Sequence, residues 1–201
     1  MNLNEPRHTG LDTLLRLACT MGASDARAIA SDQIGVQERL AEYCLNPGCE
    51  NYGLSMSCPP HVSGPSGFRR IQQNLQEAIA VRIAVPSAVL FSDERWEIFR
   101  LLHEIVAAVE QAAVEMGYSK SQGFAGGSCK RVFCRDHADC RVLSQDDGCR
   151  HPQFARPSMS GFGIDVAGLM KRCGWPADIA AREAGAGAGA MSWVAGLIML
   201  G

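Results

Sequence analysis

The most regular pattern in the chain is an apolar residue at every third or fourth position over residues 92–117. Such spacing predicts a long amphipathic helix whose apolar stripe packs against a core. Ser92 can cap its N-terminus, where the two acidic residues that follow favour the helix dipole, and Gly117 can end it. The predicted stripe consists of Trp96, Phe99, Leu102, Ile105, Val106, Val109, Ala113 and Met116. His103 lies in the same helix and is predicted to be solvated or capped rather than a ligand.

Weaker helical patterns occur in three other places. A first helix can be capped by Thr9 or Asp12 and can stop at Gly22. A second covers residues 66–75, and a third begins after Asp165. Their predicted apolar faces are Leu11, Leu14, Leu15, Ala18 and Cys19; then Phe68, Ile71 and Leu75; then Val166, Leu169, Met170 and Cys173. Both cysteines in these faces are interpreted as small core residues.

Alternating or continuous apolar runs predict strands at residues 23–31, 77–85, 119–127 and 191–200. Residues 37–44 fit either a helix or a strand. The low-complexity run 181–190 is predicted to be a flexible linker. The resulting order predicts one domain over residues 1–201 of α/β (mixed α+β) class. We expect a mixed sheet covered by helices, with cysteine-rich metal-binding loops at one edge.

Seven of the nine cysteines fall in two segments, residues 44–61 and 126–159. The first contains Cys44, Cys49 and Cys58, and the second contains Cys129, Cys134, Cys140 and Cys149. Turns at Pro47–Gly48 and Pro59–Pro60 would bring the first three cysteines together. The second segment is too polar to hold its own shape by burying apolar surface, so a bound metal or metal cluster is predicted to fold it.

The spacing of the second group favours an iron–sulfur cluster over zinc. Structural zinc sites often pair cysteines across about two to four residues, whereas four, five and eight residues separate these cysteines. Wide gaps suit a [4Fe-4S] cube, whose corners lie farther apart than four ligands on one ion. The positive charges of Lys130, Arg150 and Arg156 would offset the charge of such a cluster, and they are predicted to contact it. One or two clusters are expected, with zinc as the alternative.

The first group supplies three cysteines and leaves its fourth ligand open. Cys19, Cys173 or His61 could complete it, or the three cysteines could hold a separate zinc with His61. Alternatively, one iron could stay open to water or a substrate and act as a Lewis acid. We expect His61, His137 and His151 to lie at the surface or behind the ligands.

Charge and composition narrow the function further. The net charge of -2 is small, and the basic residues of the second segment are mixed with aspartates, so no nucleic-acid partner is predicted. The first ten residues lack the apolar core of a signal peptide, and no run is long enough to span a bilayer. The prediction is a cytoplasmic protein without a membrane partner. A disulfide framework is disfavoured, because the cytoplasm is a reducing compartment.

The sequence resembles an uncharacterised family of predicted metal-binding proteins from anaerobic bacteria and archaea, which are expected to carry iron–sulfur clusters. With the closing Ser192–Trp193 strand, three blocks carry the resemblance: Cys44, Cys49, Tyr52–Gly53 and Cys58–Pro60; Gly126–Cys129, Cys134, Cys140 and Cys149–Pro152; and Ala155–Met159 with Gly163–Val166. The resemblance implies metal binding by the seven clustered cysteines and implies no substrate. Ser158, in the third block, is a further predicted cofactor contact.

The sequence thus predicts an iron–sulfur protein that transfers single electrons to or from a partner protein. One alternative is an enzyme that uses a three-cysteine, site-differentiated [4Fe-4S] cluster as a Lewis acid on a small-molecule substrate. Another is a zinc-stapled interaction module with no redox role. Catalytic residues are not identified, because the chain has no P-loop, dinucleotide fingerprint, HExxH or Ser-His-Asp order.

Overall fold

A four-stranded antiparallel sheet lies at the centre of the computed structural model, which describes residues 5–145, 147–177 and 190–201. Its strands are β1 (Asp25–Ala30), β2 (Glu77–Pro86), β3 (Gln122–Ala125) and β4 (Met191–Leu200), in the spatial order β1-β2-β4-β3. On β4, Ile198 is opposite Ile79 of β2, and Leu197 is opposite Phe124 of β3. The last strand in sequence is therefore central, and β1 and β3 are the edges.

Helices precede, connect and follow the strands. They are α1 (Glu5–Thr20), α2 (Glu38–Glu42), α3 (Gly64–Asn74), α4 (Ser87–Leu90), α5 (Arg95–Glu115), α6 (Cys129–Phe133), α7 (Arg141–Ser144) and α8 (Val166–Arg172). Short 3-10 turns occur at Ser31–Gln33 and Met159–Phe162, and a π-turn occurs at Cys44–Gly48. Of the described helices, none combines the length and apolar character needed to cross a membrane.

The sheet has a hydrophobic core on each face. Helices α1 and α5 cover one face, and α3 and α8 cover the other. Successive residues of β4 point to opposite faces, so Ile198 belongs to the first core while Leu197 and Met199 belong to the second. Burial on both faces explains why β4 reads as a continuous apolar run rather than an alternating one.

The structure confirms the mixed helix and strand architecture predicted from the sequence. Each predicted strand overlaps an observed one, and the segment that fitted either state contains α2. Helix α5 is confirmed, with Gly117 at a φ of +99° after its last turn. It begins at Arg95, and the Ser92 hydroxyl accepts a hydrogen bond from the Glu94 N–H just before it. The Asp165 cap is also confirmed, since its carboxylate accepts from the Gly168 N–H over 2.9 Å.

Several predictions need correction. The described strands pair only in antiparallel fashion, so the sheet is not mixed in direction. Helix α1 begins at Glu5, which places both Thr9 and Asp12 inside it, because an acidic residue followed by proline already starts a helix well. Cys19 is exposed rather than buried, since it lies about a quarter turn away from the face that carries Ala18.

The end of the apolar stripe and His103 also differ from expectation. Met116 is 46% exposed, whereas His103 is completely buried rather than solvated. The second cysteine segment folds over this side of α5, where the ring of Phe133 lies 5.5 Å from that of His103. Cys173 packs against the second core as predicted. The predicted linker at 181–190 lies outside the described residues, apart from its last position.

Candidate metal centre

The first three cysteines converge at tight turns between α2 and α3. Cys44 begins the π-turn, and the Cys49 N–H donates to the Cys44 carbonyl over 3.0 Å. The Cys58 N–H donates to the Ser55 carbonyl over 3.1 Å, which closes a second turn. Burial raises the pKa of the Cys44 thiol, and the charges of Cys49 and Cys58 raise it further. These three thiols, the first cysteine group, therefore lie in one electrostatic neighbourhood.

A cavity of about 440 Å³ opens beside the first cysteine group. Besides the three cysteines, its wall includes Tyr43, Tyr52, Asn51, Ser128, Ser158 and Asp165. The carboxylate of Asp165 is already engaged by the Gly168 N–H and by Gln37 Nε2, each over 2.9 Å. Among its described lining residues there is no lysine, arginine or histidine. Its size is that of a small-molecule site.

The other four cysteines, the second cysteine group, surround a smaller space. Cys129 opens α6, just beyond the edge strand β3, and Cys140 directly precedes α7. The space is about 20 Å³, roughly the room that one water molecule needs. Its lining includes Cys129, Cys134, Cys140, Cys149, Lys130, Arg150 and His151. The structure thus brings all four thiols of the second segment to one place.

Burial dominates the electrostatics of the second cysteine group. It raises the pKa of Cys129 to about 11, although hydrogen bonding from serine side chains of the first segment acts in the opposite direction. Burial also raises the pKa of Cys134, as does the charge of Cys149, while Arg150 and Lys130 oppose the rise. Such thiols hold their protons at neutral pH and release them when a metal binds.

The two cysteine groups adjoin each other, although they are far apart in sequence. Cys58 Sγ donates to Ser128 Oγ over 3.4 Å, a contact between residues 70 positions apart. The Ser158 N–H donates to the Ser57 carbonyl over 2.9 Å. The charge of Cys58 also acts on Cys129 and raises its pKa. The cavity of the first group and the space of the second therefore lie next to each other, with Ser128 lining the first and Cys129 lining the second.

Two of the predicted cofactor contacts hold the second segment in shape. Lys130 is only 8% exposed, and its ammonium donates to the carbonyls of Cys134 and His137 over 2.8 Å and 2.5 Å. Arg150 donates to the Asp139 carbonyl over 3.3 Å. Both cations lie beside the thiols while bracing the backbone that carries them.

The other two predicted contacts lie elsewhere. The Arg156 guanidinium pairs with Glu110 of α5 and donates to the carbonyls of Pro152 and Ala155. Its backbone N–H donates to His103 Nδ1 over 3.2 Å. None of these contacts is with a cysteine, so Arg156 ties the second segment to α5. Ser158 lies on the wall of the first cavity instead.

The residues considered as a fourth ligand of the first group lie away from its cavity. His61 is exposed and is not part of the cavity wall. Cys19 is exposed on α1. Burial raises the pKa of Cys173 to about 11, and its charged neighbours are Arg27 and Asp25 at β1. His137 is exposed. The ring of His151 stacks against a phenylalanine ring, and the backbone N–H of His151 donates to Cys149 Sγ over 3.4 Å.

The donor set suits a metal that prefers sulfur. All nine cysteines are free thiols, and seven of them lie in the two adjoining groups. Across the described part of the chain, no three side chains of His, Cys, Asp or Glu have the arrangement of a single-ion site. Thiols on polar, turn-rich segments are ligands that a metal can draw together as it binds.

Sequence reasoning missed the serines that lie between the groups. Ser57 and Ser128 each directly precede a cysteine, so the dipeptide Ser-Cys occurs once in each group. That repetition is the signal that could have identified them. Glu110 and the buried His103 had no such signal, because their roles depend on where the second segment crosses α5.

Adjoining groups of free thiols on the loops of a helix-covered sheet are typical of a metal-binding protein. The chain belongs to the family described as predicted metal-binding protein (DUF2284), whose model matches residues 27–199. This match confirms the family resemblance inferred from the cysteine blocks. No curated protein and no solved structure matches the chain.

Proposed function

We propose that the chain is an iron–sulfur protein that passes single electrons to or from a partner protein or a small molecule. Cys129, Cys134, Cys140 and Cys149 would hold a [4Fe-4S] cluster, for which four thiolates are the usual ligands. The observation that carries the proposal is the single space that all four thiols line. That space is smaller than a cluster, and the exposed residues 135–139, outside both cores, leave the segment free to open around one.

The charged neighbours support the same function. Lys130 and Arg150 both lower the pKa of Cys134 against the effect of burial, so they favour its thiolate form. Their positive charge would also stabilise a more reduced, more negative centre. When bound, the cluster supplies one-electron oxidation and reduction. The mostly exposed segment 135–139 would give a redox partner access to it.

Metal and sulfide analysis of protein purified without oxygen tests this proposal. We expect iron with acid-labile sulfide, and an EPR signal that appears on reduction with dithionite. Cys134→Ala and Cys140→Ala should lose that iron. Cys173→Ala is the matched control, because this thiol packs against the second core near β1. Zinc without sulfide would instead support a zinc-stapled interaction module.

The cavity beside the first cysteine group favours a second candidate function. Three thiols line a space of about 440 Å³, and no histidine or further cysteine is found among its described lining residues. Iron bound there by three thiolates would have one coordination position left open for a substrate and would act as a Lewis acid. The lining disfavours an anionic small molecule, because it offers no described cationic side chain and includes the Asp165 carboxylate.

Ligand-dependent spectroscopy separates this enzyme from a pure electron carrier. Added cyanide, a small ligand for iron, should change the EPR spectrum of the loaded protein if one iron has an open position. The change should vanish in Cys49→Ala and persist in Cys173→Ala. A spectrum unaffected by cyanide would leave electron transfer as the better proposal.

A further inference from the structure

Two Ser-Cys dipeptides meet where the cysteine groups adjoin. Ser57 precedes Cys58 in the first group, and Ser128 precedes Cys129 in the second. Cys58 Sγ donates to Ser128 Oγ over 3.4 Å. In the other direction, the side chains of Ser57 and Ser55 lie within hydrogen-bonding reach of the Cys129 thiol and oppose the rise of its pKa. Each segment thus supplies a hydroxyl to a thiol of the other, and we name this pair of contacts the serine clasp.

The contact between Cys58 and Ser128 is shielded from solvent, Ser57 and Cys129 are half-buried, and the clasp is anchored by backbone. Ser128 is 3% exposed and Cys58 is 5% exposed. The Ser57 carbonyl accepts the Ser158 N–H over 2.9 Å, which ties the first segment to the end of the second. Hydrogen bonds to a charged sulfur are stronger where water is excluded. The clasp therefore links the position of a thiol in one segment to the backbone of the other.

We propose that Ser57 and Ser128 are positioning residues that couple the two cysteine groups, so that metal bound at one group raises the affinity of the other. This inference rests on the proposed metal binding and adds a link between its two sites. As a ligand, Cys58 releases its proton to solvent and can only accept, so the Ser128 hydroxyl must then donate to it.

The change of the Ser128 hydroxyl from acceptor to donor is the step that couples the two cysteine groups. A donating Ser128 hydroxyl is held in one direction, which fixes the residue before α6 and with it the position of Cys129. Ser57 acts in the same way from the first segment toward the Cys129 thiolate. Outer hydrogen bonds of this kind typically contribute about 10-fold to 100-fold to metal affinity. The coupling must be reciprocal, because it is a difference in binding free energy.

A double-mutant cycle on the full chain, with Zn²⁺ alone as the probe, tests the proposal. The readout is protection of Cys49, the exposed thiol of the first group, from alkylation during an oxygen-free Zn²⁺ titration, measured by mass spectrometry. Four chains are compared: the natural chain, Cys134→Ala with Cys140→Ala, Ser57→Ala with Ser128→Ala, and all four substitutions together.

With both serines present, removing the second group should weaken Zn²⁺ protection of Cys49 by about tenfold or more. With both serines replaced, the same removal should have a much smaller effect, because only Ser55 of the first segment is then left beside Cys129. Ser128→Thr keeps the hydroxyl, so it should retain the coupling that Ser128→Ala loses. Ser119→Ala, at an exposed serine that lines neither the cavity of the first group nor the space of the second, should behave like the natural chain.

Equal weakening in both serine backgrounds, or none in either, would overturn the proposal, because the groups would then bind independently. A natural chain in which Zn²⁺ never protects Cys49 or Cys140 would instead contradict metal binding itself. Circular dichroism establishes that each chain is folded. If the double serine variant is not, Ser57→Ala and Ser128→Ala each enter the same comparison singly.

Discussion

At the scale of single residues, His103 has the most unusual environment. It is completely buried, and its Nδ1 accepts the Arg156 N–H. Its pKa is lowered from 6.5 to about 4, chiefly because burial disfavours the charged imidazolium and also because the positive charge of Arg156 acts on it. The imidazole is therefore neutral in the folded chain at neutral pH.

This pKa makes the stability of the fold depend on pH. The unfolded chain binds a proton below pH 6.5, whereas the folded chain does so only near pH 4. Stability is therefore complete above pH 6.5 and falls as the pH drops toward 4. His103→Gln keeps an acceptor and removes the titration. It should reduce the loss of stability between about pH 7.5 and about pH 5 by about 2 kcal/mol.

Urea unfolding at the two pH values measures this difference. His61→Gln, at an exposed histidine, is the control and should keep the pH dependence of the natural chain. An unchanged pH dependence in His103→Gln would mean that His103 is not the group responsible.

The ion pair of Arg156 with Glu110 gives a second prediction at this scale. The two side chains are 15% and 19% exposed, so removing one partner leaves a poorly solvated charge. Glu110→Gln should lower the free energy of unfolding by about 1–3 kcal/mol. Glu97→Gln, on the same helix, is the matched control, because Glu97 is 74% exposed in its pair with Arg100.

The control should cost less than about 1 kcal/mol, since exposed pairs and helix-dipole contacts contribute little. Denaturant unfolding measures both variants. Equal losses of unfolding free energy in the two variants would show that the Glu110 pair, which links the second segment to α5, contributes no more to stability than an exposed pair does.

At the scale of elements, α5 packs closely against β4 at Gly196. A side-chain Cβ at Gly196 would lie 2.5 Å from Val106 Cγ2 and 3.1 Å from Val81 Cγ2. Both neighbours belong to the first core. Gly196→Ala should therefore destabilise the fold by about 1–3 kcal/mol, because α5 must move or Val106 must leave its rotamer.

Gly10→Ala is the matched control for that substitution. A Cβ at Gly10 would lie 3.6 Å from the Tyr118 hydroxyl, an ordinary contact. Inside α1, alanine is favoured over glycine by about 0.5–1 kcal/mol, so this variant should be at least as stable as the natural chain. Thermal unfolding compares the two. A stable Gly196→Ala would contradict the close packing of α5 on β4.

The elements also explain what the sequence could and could not predict. Long α5 and the buried β4 were predictable, because repeating apolar positions specify them locally. The place of β4 between β2 and β3 was not, since it depends on partners far away in sequence. Short helices such as α6 and α7 have too few turns to produce a periodic pattern.

The candidate site likewise has features that the sequence could predict and features that it could not. Its cysteines were visible from residue type, turns and spacing. That Cys58 meets Ser128 was not, because 70 positions separate them and only the folded sheet brings their segments together. The burial of His103 was likewise hidden, since the residues that cover it belong to a polar segment that predicts no packing.

At the scale of the whole molecule, the sheet and the cysteine groups are separate structural units. The two described cores join the four strands to α1, α3, α5 and α8, and contain none of the seven clustered cysteines. We therefore expect the fold of the sheet not to need a metal. Segments 44–61 and 126–159 are held mainly by turns, polar contacts and ring contacts such as that of Phe133 with His103, and Met159 at the end of the second segment packs into the second core.

Removal of bound metal should thus loosen the molecule unevenly. After chelation without oxygen, amide hydrogen exchange should accelerate in segments 44–61 and 126–159, while β2 and β4 stay protected. Cys134→Ala with Cys140→Ala should give the same pattern in 126–159 without a chelator, and Cys173→Ala should not. Equal loss of protection in β2 and β4 would show that the metal holds the entire fold, because the two cores alone would then be too weak to keep the sheet closed.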